Sequence, residues 1–247
     1  MRNVRTAVYL LLVCAAWARP ARAQQADSVP QGLSGSAGFG LSLTQGNSDT
    51  LNINATVDSI YDPKTKNLVK WNALYLRGKQ NGVLSVNRVF GSLRDEYTVS
   101  KRVFLFGQFD ALHDTFKGMD YLYASTVGAG YKVVDTKRTT FDVNAGVGGV
   151  VEKDIGQDAL GNGAVTFGEK LVHQLTDTTT LKEAATGLIK MGDVGNGLYT
   201  FGVGVAARVN SRLQLAVDLL DTFKNQPVDG LTHKHDLALV TSIVAKY

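Results

Sequence analysis

Cysteine is almost absent from this 247-residue chain, since Cys14 is its one residue of that type. Cys14 lies within residues 1–23, which we expect to be removed on export. A mature chain without cysteine has no disulfide framework and no thiol chemistry. Its stability must therefore come from a large core or from the closure of a sheet.

The apolar run at the N-terminus has the layout of an export signal. Residues 1–23 hold two early arginines, an apolar run from about Ala7 to Trp17, and a small-residue ending at Ala21-Arg22-Ala23. This layout predicts a secretory signal peptide that is cleaved before Gln24.

Long apolar runs are missing from the rest of the chain. No run approaches the roughly 18 residues that a membrane-spanning helix needs. A lipoprotein signal at Cys14 fits poorly, because Val13 stands where a small residue is expected. The sequence therefore predicts an exported protein without membrane-spanning helices: a signal peptide at 1–23, a short N-terminal segment at 24–32 and a β domain at 33–247.

An excess of charge is also missing once the signal is set aside. The chain has 26 basic and 22 acidic side chains, and four arginines belong to residues 1–23, which leaves 22 of each sign. This balance gives no reason to expect nucleic acid as a partner.

From Leu33 onward the sequence shows period-two alternation of apolar and polar residues, which is typical of half-buried strands. It predicts twelve strands, at 33–44, 50–61, 68–78, 88–99, 103–116, 121–134, 139–152, 164–175, 179–190, 197–209, 213–223 and 233–247. Most have 11 to 14 residues, whereas soluble strands average about five or six and membrane strands need about nine to eleven. The lengths favour a membrane barrel.

The connections alternate between tight and long. "SKR", "DTKR", "TDT" and "NSR" are tight, whereas "GKQNGVLSVN", "KDIGQDALGNG" and "KMGDVGNG" are long. Short periplasmic turns and longer outer loops are typical of bacterial outer-membrane barrels. We therefore predict an all-β, antiparallel up-and-down transmembrane barrel with about twelve strands.

The chain ends on an alternating strand with an aromatic residue. Tyr247, Ile243 and Leu239 share its apolar face, so we expect this strand to pair with the first and to carry the assembly signal. Aromatic residues beside the tight turns predict a periplasmic girdle: Tyr61, Tyr97, Phe104, Tyr131, Phe141 and Tyr247.

A soluble β-sandwich or lipocalin-like barrel is the alternative, although twelve long strands make a large core for such a chain. Asp95, Glu169 and Glu183 fall on apolar or ambiguous faces, and a β-bulge there would flip the register.

The polar faces predict the lining of the lumen. Glycine pairs such as Gly128 and Gly130 lie on these faces, where they leave either an open channel or tight curvature. Nine charged residues share them: Asp58, Arg94, Glu96, Asp110, Asp142, Arg208, Asp218, Lys234 and Asp236. They form either a polar pore lining or a salt-bridged plug.

The histidines show no catalytic spacing. His113 and His173 fit solvated or structural roles, and His233 with His235 could chelate a metal but lacks an evident third ligand. No serine and histidine are placed as a lipid hydrolase needs. We therefore expect no enzyme activity, cofactor or metal.

Three stretches carry a family resemblance. They are "GFGLSLTQGNSDTLNINATVD", "KRVFLFGQFDALHDTFKGMDYLYASTVGAGYKVVDTKRTTFDVNAGVG" (Lys101–Gly148) and "GEKLVHQLTDTTTLKEAATG". Together they resemble the domain-of-unknown-function family 481, the salt-induced outer-membrane proteins. The resemblance implies an outer-membrane barrel of a Gram-negative envelope with a link to salt or osmotic stress, and it brings no catalytic residues.

Two functions follow from these observations as expectations. The first is a narrow passage for small polar solutes or ions, and the second is a non-conducting structural barrel whose outer loops meet partners. A lipid-modifying enzyme is the least favoured. The partners expected are outer-membrane lipid, lipopolysaccharide and the barrel assembly machinery, and the sequence does not identify a solute.

Overall fold

The described chain is built almost entirely from β-strands. This computed structural model describes residues 32–44, 50–226 and 234–247, so the signal peptide expected at 1–23 lies outside the described residues. The described ranges contain twelve strands: β1 (Gly32–Thr44), β2 (Thr50–Asp62), β3 (Asn67–Gln80), β4 (Val83–Thr98), β5 (Val103–Asp114), β6 (Met119–Asp135), β7 (Thr139–Asp154), β8 (Leu160–Gln174), β9 (Thr179–Lys190), β10 (Asp193–Arg208), β11 (Leu213–Lys224) and β12 (His235–Lys246). A short 3-10 turn, Thr115–Lys117, separates β5 from β6. No helix within these ranges is long and apolar enough to cross a membrane.

The strands form one closed antiparallel sheet. Each strand pairs with the next one in the chain, and β12 pairs with β1. In this closing pair Ser36 lies opposite Lys246 and Phe39 lies opposite Ile243. The prediction of a twelve-stranded, up-and-down transmembrane barrel is confirmed.

Two connections predicted as long loops are largely strand. β3 continues to Gln80 and β4 begins at Val83, and they are joined by Asn81-Gly82 with φ angles of 51° and 78°. Positive φ at both central residues gives a type I′ hairpin, for which Asn-Gly is the favoured pair. β9 and β10 likewise leave only two residues between Lys190 and Asp193. We call the end of the barrel that carries these hairpins the outer end, and the other the chain-end side.

The two faces of the sheet differ in polarity. Large exposed apolar side chains occupy one face, among them Leu33, Phe39, Leu93, Leu105, Phe109, Val127, Val147, Leu215 and Ile243. The opposite face makes contacts between strands that are not neighbours, such as that of Arg88 on β4 with Thr222 on β11. Such contacts must cross the interior. The polar face therefore lines the lumen, and the apolar face is the outer wall.

No register shift is found at the three residues whose faces were ambiguous. Asp95 pairs with Val69 and Gly107 in an unbroken register, and Asn67 donates to its carboxylate at 3.0 Å. Glu169 lies opposite Val143 and Ala185 without a bulge, and the register is also continuous through Glu183. All three stay on the outer face, so a bulge does not explain them.

The last residue takes part in closing the barrel. The backbones of Tyr247 and Gly35 exchange two hydrogen bonds, each of 3.1 Å. The Tyr247 ring lies against Gly35, where an added Cβ would be 2.8 Å from the hydroxyl. That hydroxyl bonds Ser59 of β2 at 2.6 Å. Tyr247 thus joins β12, β1 and β2, which requires glycine at position 35.

Candidate functional site in the barrel lumen

Eight charged side chains meet inside the outer end of the barrel. We call them the mouth cluster: Arg88, Asp114, Lys117, Glu152, Asp154, Lys190, Lys224 and Asp236. Three of their ion pairs connect strands that are not neighbours in the sheet, and a fourth, Arg88–Asp114, joins the neighbouring strands β4 and β5. Burying a charge is costly unless it is paired and hydrogen-bonded, so each connection depends on its partner.

Lys117 reaches across the lumen from the 3-10 turn between β5 and β6. It is completely buried, and Gly118 behind it turns the chain with a φ of 66°. The Lys117 ammonium donates to the Lys234 carbonyl oxygen at 2.7 Å and lies 2.9 Å from the Asp236 carboxylate. The turn is thereby tied to the start of β12.

Lys224 forms the centre of a second crossing. Its buried ammonium on β11 donates to Glu152 at 2.7 Å and to Asp154 at 3.0 Å, both on β7. Lys190 of β9 lies 2.6 Å from the other oxygen of Glu152. Strands β7 and β9 are thus joined to β11 through two carboxylates.

Arg88 makes the third crossing. Its Nε donates to Asp114 of β5 at 2.7 Å, and a second guanidinium nitrogen contacts the same oxygen. A third nitrogen donates to Thr222 of β11 at 2.8 Å. Beside these pairs lies a buried apolar layer inside the barrel: Leu112, Met119, Leu122, Ala124, Val150 and Ala164, with Phe90, Leu188 and Leu198 packed against it. Ion pairs and apolar packing together occupy the inner face of the barrel at the outer end.

The chain-end half of the lumen holds a second charged group, on one wall. Glu96 accepts from Lys70 at 2.7 Å and from Arg94 at 2.9 Å. Arg94 also donates to Gln108 at 2.7 Å, and Gln108 donates to Asp110 at 2.8 Å. These residues follow neighbouring strands β3 to β5, so this group lines the wall without crossing the lumen.

The glycines of this half make room for aromatic rings. A Cβ added at Gly130 would lie 2.0 Å from the Phe104 ring, and one at Gly128 would lie 2.7 Å from Phe106. The Arg94 guanidinium lies 3.7 Å from the centre of the Phe106 ring. The prediction that Phe104 belongs to an outer aromatic girdle is therefore wrong, because its ring is buried inside against glycine. The glycines permit ring packing in addition to any effect on curvature.

Other inward-facing side chains of the chain-end half and middle remain exposed. They include Asp58, Lys170, Lys182, Thr186, Thr200 and Arg208. Exposure of inward-facing side chains means that water reaches the interior there. We call this water-accessible part of the lumen the vestibule.

The nine charged residues predicted for the lumen take different places in this arrangement. Arg94, Glu96 and Asp110 come together on the wall, and Asp142 lies opposite Lys132 and Lys170 in the register. Asp236 joins the mouth cluster, whereas Lys234 contributes its backbone carbonyl. Asp58 and Arg208 are exposed, and Asp218 lies against Gly204, where an added Cβ would be 1.9 Å from its oxygen.

Most of the mouth cluster was missed from the sequence. Glu152, Asp154 and Lys190 share the even-numbered alternation of their strands, a signal that could have placed them inside. They were instead assigned to strand ends and loops. Lys117 lies in a short turn, and no local pattern indicates that it points inward.

The histidines make structural contacts. His113 Nδ1 lies 2.6 Å from the Asp120 carbonyl oxygen, to which it donates, and His173 bonds Thr139 at 2.7 Å. His235 pairs with Asp221 at 3.0 Å, while His233 lies outside the described residues. Among the described residues there is no group of three side chains able to hold a metal ion.

Known structures share this barrel fold. An outer-membrane channel from Pseudomonas putida F1 is 11% identical with a TM-score of 0.50, over 92% of this chain and 100% of that one. The NanC porin is 9% identical with a TM-score of 0.49, over 87% and 98%. The translocator domain of the autotransporter NalP from Neisseria meningitidis is 13% identical with a TM-score of 0.46, over 90% of both chains.

The sequence comparisons give a family without a function. Among curated proteins, none matches the chain. A family model described as "Protein of unknown function, DUF481" matches residues 37–247, which is nearly all of the barrel. This chain therefore belongs to the DUF481 family.

Proposed function

We propose that this protein is an outer-membrane channel of a Gram-negative envelope, which passes small polar solutes or ions and is closed at its outer end in this structure. The observation that carries the proposal is the vestibule, where inward-facing charged and hydroxyl side chains are open to water. A purely structural barrel has no need of a wet interior. The similarity in fold to an outer-membrane channel is consistent with this function.

In this proposal the mouth cluster is the gate. Its cross-lumen contacts depend on a few ammonium and guanidinium groups, of which Lys117 is carried on a short turn rather than on a strand. Moving that turn would release Lys117 from Asp236 and Lys234 without breaking a strand pair. The gate can therefore open while the barrel wall stays intact.

Single-channel conductance in a planar bilayer tests the proposal. We expect rare, discrete openings of the native barrel and more frequent openings of Lys117→Met, because the turn loses its partners across the lumen. Lys182→Met is the matched control, since Lys182 is inward-facing but exposed in the vestibule. A heat-modifiable gel shift must show that each barrel is folded. Silence from all three folded barrels would contradict the channel.

The second candidate is a non-conducting structural barrel. The buried ion pairs and apolar layer at the outer end favour it, because together they fill the lumen there. In that case Lys117→Met would lower stability without producing conductance. The same recordings therefore decide between the two candidates.

The link to salt that the family resemblance implies can be included in this proposal. Ionic strength weakens ion pairs that water can reach, and buried pairs much less. The paired atoms of Lys117 and Asp236 are buried, so salt reaches this crossing only after the turn has moved and admitted water. We propose that high salt then disfavours re-formation of the pair and raises the open probability of the channel.

A further inference from the structure

The closing seam between β1 and β12 is shorter than the other seams of the described barrel. Its register covers only Ser36–Phe39 and Ile243–Lys246, with the Gly35–Tyr247 hydrogen bonds beyond. On its other side β1 pairs with β2 along its full length, Gly32 to Thr44. β12 pairs with β11 from His235 to Ala245. The outer halves of both strands thus have a partner on one side only.

At Gly40 the two strands are still adjacent, since an added Cβ there would be 2.0 Å from the Thr241 carbonyl oxygen. We call the unpaired part of the wall beyond this contact the seam gap; it is formed by residues 41–44 of β1 and 235–240 of β12. Hydrogen-bonded pairs alternate along an antiparallel ladder, and Gly35 with Tyr247 sets the phase. The residues whose backbone N–H and C=O face the gap are therefore Leu41, Leu43, Leu237 and Leu239. The Thr241 carbonyl accepts from the Asn54 side chain at 3.2 Å. Where the β1–β12 ladder ends, the Asn54 side chain on β2 thus takes the place of a backbone donor from β1.

Asn54 provides a second and independent observation. Its side chain is only 9% exposed, yet its Oδ1 has no hydrogen-bond partner among the described residues. It lies over Gly40 on the inner side of the wall, where an added Cβ would be 2.4 Å from Nδ2. A buried acceptor without a donor destabilises the fold, because it has lost its hydrogen bond to water. A ligand that donates a hydrogen bond would remove this destabilisation.

The outer side of the gap is apolar. Leu41, Leu237 and Leu239 are 54%, 68% and 70% exposed. Open sheet edges are not stable against lipid, since hydrocarbon offers no hydrogen bond to an unsatisfied backbone group. An occupant of the gap must therefore offer hydrogen-bonding groups to the backbone and to Asn54, and hydrocarbon to the leucines.

We propose that the seam gap is a lateral portal, through which an amphipathic molecule with an acyl chain exchanges between the lumen and the outer part of the bilayer. Its polar group binds the free backbone and Asn54 Oδ1, while its chain lies along the outer leucines. The proposal rests on the membrane location of the proposed channel. It adds a sideways route for lipid-like molecules to the axial route for polar solutes.

Tryptophan fluorescence tests whether acyl chains reach the lumen. In a Trp17→Phe, Trp71→Phe background, Ala238→Trp places a reporter on the inner face of β12 beside the gap. Ala184→Trp is the matched control: it faces inward on β9, in the same row of register through Leu220 and Gly202. In vesicles of phosphatidylcholine brominated on its acyl chains, we expect quenching about twofold stronger at 238, because lipid enters the lumen only through an opening in the wall. Equal quenching overturns the proposal.

Leu220→Trp, one strand further from the gap, replaces the reporter if Ala238→Trp does not fold. Its quenching should lie between the values at 238 and 184. These quenching measurements do not depend on ion flux, so they test the portal separately from the channel. A barrel that conducts without lipid access refutes the portal alone, and one that admits lipid without conducting refutes the channel alone.

Disulfide formation tests the gap itself. In a Cys14→Ser background, Leu43→Cys with Leu239→Cys places a pair where the continued register would join the strands, and Ala37→Cys with Ala245→Cys is the paired control. We expect the control to cross-link at least about tenfold faster, since cysteines with Cα atoms beyond about 7 Å cannot be bridged without backbone movement. Equal rates would show a closed seam. A dimer formed by Leu43→Cys alone would show that a second copy, and not a lipid, covers the edge.

Discussion

The two halves of the lumen are stabilised by different chemistry. At the outer end, fully buried Lys117 and Lys224 join opposite walls through carboxylates. In the chain-end half, the rings of Phe104 and Phe106 lie against glycines of the wall, and Lys170 and other polar side chains stay in contact with water. Packing of rings on glycine lies within one wall, so it does not depend on side chains from the other side of the lumen. A set of crossed ion pairs depends on every partner, as the proposed gate requires.

Removal of one charge should give the largest difference in stability loss between the two halves of the lumen. Lys224→Met leaves Glu152 and Asp154 beside each other without their shared cation, and breaking a buried pair in this way costs about 3–5 kcal/mol. Lys170→Met removes a cation that is exposed in the vestibule, so we expect a change below about 0.5 kcal/mol. Urea unfolding of the barrels in lipid vesicles measures both. Equal losses would mean that the mouth cluster is no more tightly coupled than the vestibule.

The ring packing of the chain-end half is tested by filling a glycine. Gly130→Ala puts a methyl group where the Phe104 ring now lies, and overpacking of this kind costs about 1–3 kcal/mol. Gly107→Ala on the outer wall of β5 is the control, because an added Cβ there meets nothing within 4 Å. The same unfolding experiment should show a loss only for Gly130→Ala. A loss of equal size at Gly107 would assign the effect to the strand backbone and not to the ring.

Loss of an uncharged hydrogen-bond acceptor at the outer end should lower stability less than loss of a charge there. Thr222→Val keeps the shape of the side chain but removes the hydroxyl that accepts from Arg88, so we expect a loss of about 1–2 kcal/mol. Thr200→Val, which breaks an exposed hydroxyl pair with Thr186, should have little effect. If the Thr200 variant were the less stable of the two, the crossing from β4 to β11 would not stabilise the closed mouth.

The periodic part of the fold could be predicted from the sequence, because side-chain alternation directly reports two faces. β9, Thr179–Lys190, has the predicted bounds, and β12 closes the sheet as Tyr247 indicated. The outer hairpins were predicted as loops, although the Asn81-Gly82 pair is a strong turn signal. At these hairpins the strands extend beyond the predicted bounds, because the prediction ends where apolar and polar residues no longer alternate.

The contacts across the lumen could not be predicted in the same way. Alternation places Glu152 and Lys224 inside but says nothing of which strands face each other across the barrel, since this depends on the stagger of all twelve. The ring of Phe104 was assigned to the wrong face because an aromatic beside a tight turn fits an outer girdle equally well. The alternation of β5 contradicts that assignment, since Phe104 shares a face with Asp110, which was placed in the lumen. The neighbouring glycines, Gly128 and Gly130, support the inner position because they leave room for the ring.

The smallest effect is expected from charges that line the vestibule without closing it. Asp218→Asn removes an inward carboxylate near Asp58, whereas Arg208→Gln removes an exposed inward cation. In the open channel the first should lower the preference for cations and the second should raise it. Each variant should change the cation-to-anion preference roughly twofold, because these charges act on passing ions through electrolyte, over distances near the Debye length of about 8–10 Å. Reversal potentials under a salt gradient measure the preference. Shifts in the same direction for both variants would mean that ions do not pass along this part of the lumen, and the vestibule would then end as a blind pocket below the mouth cluster.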